Sequence, residues 1–207
     1  MSSNFEHLRG YHEQLFQLGS LAERYLQEDP NTSLLKMRQL GELLAQQVAC
    51  RFGVELRIEE TQQQLLRRLE CEGVLGREVA DLFHGVRRKG NLANHDLQGD
   101  HPMALKTLRM AWQLGVWFHR TFGDAEFRSG PFQPPQAQPD REEWQQLAAQ
   151  ADADKAALLA QLQVLQQQAS QQSRETRRRI RQAAQTAAER IELDEPSTRL
   201  LIDEQLR

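Results

Sequence analysis

From Phe5 to about Phe122 apolar residues return every three or four positions, as in Leu40, Leu44, Val48 and Phe52, while runs of alternating β-branched residues are almost absent. This half of the chain is therefore expected to be helical. Its punctuation divides it into five elements. Asp29-Pro30 sets an N-cap acceptor before a proline at the first helical position, and Gly53 follows Phe52 where a left-handed C-cap would sit, predicting a helix over 30–52. An opening helix is expected over 5–27, and a third over 61–72 with its stop at Gly73. A fourth begins near Gly76-Arg77-Glu78 and carries Val79, Leu82, Phe83 and Val86 on its buried face. A fifth is capped by Asp100, ended by Gly123, and striped with Leu105, Leu108, Ala111, Trp112, Gly115, Val116 and Phe118; Trp112 and Trp117 read as core anchors. Short connections make neighbouring helices antiparallel.

After Gly123 the pattern changes. Prolines crowd residues 129–139, removing amide donors and fixing φ, so a linker is expected over 124–139. From 140 to 193 Gln, Ala, Arg and Glu dominate and large apolar positions thin out, which predicts one long exposed helix with a moderate coiled-coil seam through Leu158, Leu162, Leu165 and Ala169. Residues 194–207 open a further capped segment and read as the start of a following domain. The predicted fold class is all-α: an antiparallel helical bundle over 1–123, a Pro-rich linker, then the long helix.

Charge adds little. The 26 Lys and Arg against 29 Asp and Glu leave a net −3, which argues against a chain that coats nucleic acid by net charge, though local basic patches are not excluded. Two cysteines, Cys50 and Cys71, sit among apolar residues and make neither a disulfide framework nor a zinc site by themselves. No window approaches the roughly 20 apolar residues that span a bilayer, so a cytoplasmic chain without a membrane partner is expected.

Candidate chemistry concentrates in 82–96. At 100° per residue, Arg88, Asn91 and His95 fall within a sector of about 60° of one helix face. A guanidinium, an amide and an imidazole placed so could hold a phosphate and move a proton. The competing and preferred reading is structural: Asn91 and His95 satisfy backbone groups of neighbouring helices and Gly90 lets two helices approach. Arg87, Arg88 and Lys89, with Arg177, Arg178, Arg179 and Arg181 further on, are candidate contacts for nucleic acid. The later run reads first as the solvated face of a charged helix. His84 is a weaker candidate, and His101 and His119 read as surface or cap residues, since neither has a metal-clamping partner at helical spacing. The sequence has no phosphate-binding Gly-x-x-x-x-Gly-Lys loop, no nucleophile elbow and no two-metal nuclease acids, so no catalytic machinery of those kinds is visible and no cofactor is expected in this chain.

Several blocks carry a resemblance. Ser3-Asn4-Phe5-Glu6-His7-Leu8, Asp29-Pro30-Asn31-Thr32 leading into Leu35-Lys36-Met37-Arg38 with Gly41-Glu42, Val86 through Asn91 to His95, and Val116-Trp117-Phe118 resemble the N-terminal helical domain of type I restriction endonuclease R subunits. The segment from Thr198 to Arg207 resembles the opening of their nuclease domain. The resemblance implies a parent with a restriction nuclease and an ATP-driven DNA translocase, using ATP and Mg²⁺, and assembling with modification and specificity subunits on DNA. The family's catalytic positions have no counterpart here. The helical domain is also similar to the HEPN superfamily, whose signature is an Arg followed after four to six residues by a His; Arg88 and His95 enclose six. Active members of that superfamily cleave RNA at a dimer interface, which implies an alternative as an RNA-cutting or RNA-binding homodimer. The expected function is a noncatalytic assembly or regulatory module of a restriction complex.

Overall fold

A computed structural model describes residues 3–57, 59–96, 100–136, 155–170 and 174–189, and every regular element among them is helical. A short 3-10 turn, Glu6–Leu8, precedes α1 (Glu13–Glu28), α2 (Pro30–Phe52), α3 (Gln62–Cys71), α4 (Arg77–Asp96), α5 (His101–Phe122), α6 (Lys155–Ser170) and α7 (Arg174–Glu189). The all-α expectation holds. Asp29 alone joins α1 to α2; its carboxylate accepts from the Thr32 amide at 3.0 Å, and Ser33 Oγ donates to the Ala22 carbonyl at 2.6 Å as the two helices fold back on each other. Gly53 and Gly73 both take left-handed φ, 71° and 66°, where the sequence places stops. Asp100 caps α5 through the Met103 amide at 2.7 Å, and Thr61 and Gln64 form a reciprocal capping box on α3.

Helix α2 is the hub, packing against α1, α3, α4, α5 and α6. Two glycines set how closely α4 approaches it. A Cβ on Gly41 would stand 3.3 Å from Val86 Cγ1, and one on Gly90 would collide with Arg38 Cβ. Val79, Leu82, Phe83 and Val86 are fully buried, as their spacing predicts.

The structure adds detail that the sequence pattern does not carry. The opening helix is not continuous over 5–27, because Phe5 seats its ring directly on Gly19 and His12 Nδ1 accepts from the Gln14 amide at 3.1 Å, which starts α1 afresh. The segment 124–136 is irregular but lies along the bundle. Asn4 exchanges hydrogen bonds with the Gln133 backbone at 2.8 and 2.9 Å, Gln27 donates to the Pro135 carbonyl at 3.1 Å, and Phe132 meets Trp112 at 5.6 Å between ring centroids. Trp112 is thus partly buried and packs against the core, while Trp117 lies within it.

Where one long exposed helix was expected over 140–193, α6 packs on α2 and α7 on α5. Leu162, Ala169, Ala184, Ala187 and Ala188 are buried, and Trp117 Nε1 donates to the Ala184 carbonyl at 3.1 Å. Alanines allow that approach because they bring the backbone within reach of the indole; a reading that follows only large apolar residues overlooks them. Residues 140–154 and 194–207, including the expected start of a following domain, lie outside the described residues. No helix among the described residues is long and apolar enough to cross a membrane.

Replacing Gly90 with Ala gains about 1 kcal/mol of helix propensity, but its new methyl must displace Arg38 Cβ, which is fixed to the α2 backbone. Overpacking of this kind costs typically about 1–3 kcal/mol. Gly90→Ala should therefore melt below the wild type, whereas Gly130→Ala, with nothing within 4 Å of its Cβ, should not. Equal melting temperatures for Gly90→Ala and wild type would contradict the close seam.

Candidate functional site

The sequence candidates on α4 lie over its last three turns. Arg87, Arg88, Lys89 and Asn91 are half-buried, and Gly90 is buried against α2. His95 belongs to the final turn of α4, so helical spacing sets it on the face of Arg88 and Asn91, but its side chain lies outside the described residues. His84, one turn earlier, turns away to Glu70 Oε1 at 2.9 Å on α3.

Around Arg87 the electrostatics are one-sided. Burial pushes its guanidinium below the ordinary arginine value, and the charges of Arg88, Arg67 and Arg38 push it in the same direction. Arg38 comes from α2 and Arg67 from α3, so three helices contribute to one cationic cluster. The Nε atoms of Arg38 and Arg87 are buried without hydrogen-bond partners among the described residues, as are both amide atoms of Gln62 at the start of α3. Arg38, Arg67 and Gln62 escaped the sequence reading because they are distant along the chain, on helices that become neighbours through packing.

The later basic run is divided in use. Arg177 reaches the Ala169 carbonyl at 3.4 Å, Arg179 pairs with Glu175 at 2.6 Å, and Arg178 and Arg181 are exposed. Cys50 is buried and its thiol is pushed up to about 11 by burial, but Cys71 is exposed at the end of α3, correcting the expectation that both sit among apolar residues. Among the described residues no group of three or more His, Cys, Asp or Glu could hold a metal ion.

A second polar cluster lies at the opposite end of α5. His119 Nδ1 is 3.0 Å from Tyr11 Oη, and its ring meets Phe127 at 4.4 Å and His7 at 5.8 Å. His119 is thus a packed residue rather than a surface cap. His7 Nε2 is buried beside Gly115, and burial, reinforced by His119 and opposed by the Gly115 and Asn4 backbone, holds its pKa down at about 4. The sequence offered no periodicity that singles out His7.

Over 120 residues the chain is 37% identical to the type I restriction enzyme EcoKI endonuclease subunit of Escherichia coli (strain K12), an alignment covering 57% of this chain and 10% of that protein. This chain is similar to a restriction endonuclease subunit. It spans about a tenth of that relative's length. No family model matches the chain, and no solved structure matches it.

The depressed pKa of His7 fixes a sign. The unfolded imidazole binds a proton near pH 6.5 and the folded one only near pH 4, so the unfolded state holds more protons between them. Stability from this group is complete above about pH 6.5 and is lost as pH falls toward 4, by roughly 1–3 kcal/mol. The melting temperature of wild type should drop more between pH 7 and pH 4 than that of His7→Gln. Parallel drops would contradict a buried neutral imidazole.

Proposed function

We propose that this chain is a noncatalytic assembly and regulatory module of a type I restriction endonuclease subunit, acting in the restriction of foreign DNA. The identity of 37% over 120 residues to the EcoKI endonuclease subunit carries the reading. On this view the nuclease, the ATP-driven motor and their ATP and Mg²⁺ belong to the rest of the parent polypeptide. The helical bundle contacts the modification and specificity subunits, and DNA is engaged through the assembled complex. A bundle fits that role because rigid helices present side chains in a fixed arrangement, so a partner meets a preformed surface at little ordering cost.

Co-expression with the modification and specificity subunits of the same organism tests it. The chain should co-elute with them on size exclusion, and the chain alone should hydrolyse ATP and cut DNA with Mg²⁺ no faster than a mock preparation. Elution apart from both subunits would remove the assembly reading. RNA cleavage by the wild type, lost in His95→Ala with an unchanged melting temperature, would favour the HEPN-type ribonuclease instead.

A further inference from the structure

Three arginines elsewhere are matched with carboxylates: Arg9 with Glu6 and Glu13, Arg68 with Glu60, Arg179 with Glu175. The cluster of Arg38, Arg67 and Arg87 is different. Among the described residues the charges that act on Arg87 are guanidiniums, those of Arg88, Arg67 and Arg38, although acids outnumber bases in the chain. Like charges held together oppose folding, and buried donors without partners add a desolvation cost. Both Nε of Arg38 and Nε of Arg87 bear that cost, as does the amide of Gln62, whose Nε2 lies 3.8 Å from the position of a Gly41 Cβ. The seam between α2 and α4 maintains the arrangement, since Gly90 lies against Arg38 and Gly41 against Val86. An anion would remove both costs at once: it would neutralise the guanidiniums and accept from the unpartnered N–H groups.

We propose that Arg38, Arg67 and Arg87 form a cradle for a phosphate group, with Gln62 as an additional amide donor. Guanidiniums suit this ligand because their planar forks match tetrahedral oxyanions with paired, charge-assisted hydrogen bonds. The cradle is open on one side. Arg67 is exposed and also lines a groove of about 470 Å³ with Arg57, Gln64 and Arg68, where Glu60 is engaged by Arg68 and Glu59 is the other acid, so that three guanidiniums face two carboxylates. The phosphate can therefore belong to a nucleic-acid backbone lying along the groove or to a free phosphate species, and both present the same chemistry to the three arginines. The inference stands independently of the assembly reading.

The test uses the full chain. Its melting temperature is followed in sodium phosphate and in sodium chloride at matched ionic strength, and binding of a fluorescent DNA duplex of about 20 base pairs is followed across salt concentrations. Phosphate should raise the melting temperature of the wild type above its value in chloride. Arg87→Gln should melt in chloride at or above the wild type, because a repulsion is relieved, and should lose the phosphate increment. Arg87→Lys, which keeps the charge without the fork, should recover only part of it. If the source is a nucleic-acid backbone, the duplex should bind, Arg87→Gln should weaken it about tenfold, and the slope of log K against log salt should become shallower by about one. Phosphate stabilisation without duplex binding would identify free phosphate as the source. Arg67→Gln, at an exposed side chain, repeats the comparison if Arg87→Gln does not fold. Phosphate and duplex both acting no differently from chloride, or acting equally on wild type and the Gln variants, would overturn the proposal.

Discussion

The contact between α2 and α4 governs the rest of the molecule. Gly90 against Arg38 and Gly41 against Val86 remove the side-chain layer that normally separates two helices. The close approach buries Val79, Leu82, Phe83 and Val86 of α4 in the core. It also forces the polar groups flanking that apolar face to share space with those of α2. Arg87 is driven toward Arg38, and α3, which packs on both α2 and α4, adds Arg67 and Gln62. Core packing and the cationic cluster are thus two consequences of one seam.

Around that seam the other elements act as covers. The N-terminal stretch places Phe5 on Gly19 and ties Ser3 and Asn4 to Glu23, whose carboxyl is raised above its ordinary value by burial. Asn4 in turn holds the irregular segment at Gln133. Helices α6 and α7 close the remaining faces of α2 and α5, with Trp117 hydrogen-bonded to the backbone of α7. The cover over α5 depends on small residues, because Ala184, Ala187 and Ala188 leave no side chain to hold the helices apart.

What could be read from the sequence is what is decided locally. Asp29, Asp100, Gly53 and Gly73 act within a few residues of themselves, and their caps and stops stand where the pattern puts them. The 3.6-residue period gives the buried face of α4 for the same reason. Tertiary contact decides the remainder. The break after Leu8 needs Phe5 to find Gly19, and the docking of α7 needs an indole supplied from α5. At the candidate site, the local helical spacing of Arg88, Asn91 and His95 was legible. The convergence of Arg38, Arg67 and Arg87 was not, since it depends on which helices are neighbours.

A tight α2–α4 seam forces like charges together. A double-mutant cycle over Arg38→Gln and Arg87→Gln, measured by thermal unfolding in low-salt chloride, tests it most directly because both substitutions keep Cβ and leave the seam intact. Removing either charge should relieve the shared repulsion, so the double variant should gain less stability than the two single gains added together, and the shortfall should shrink as salt is raised. Strictly additive effects, or a loss of stability in each single variant with no dependence on salt, would contradict it.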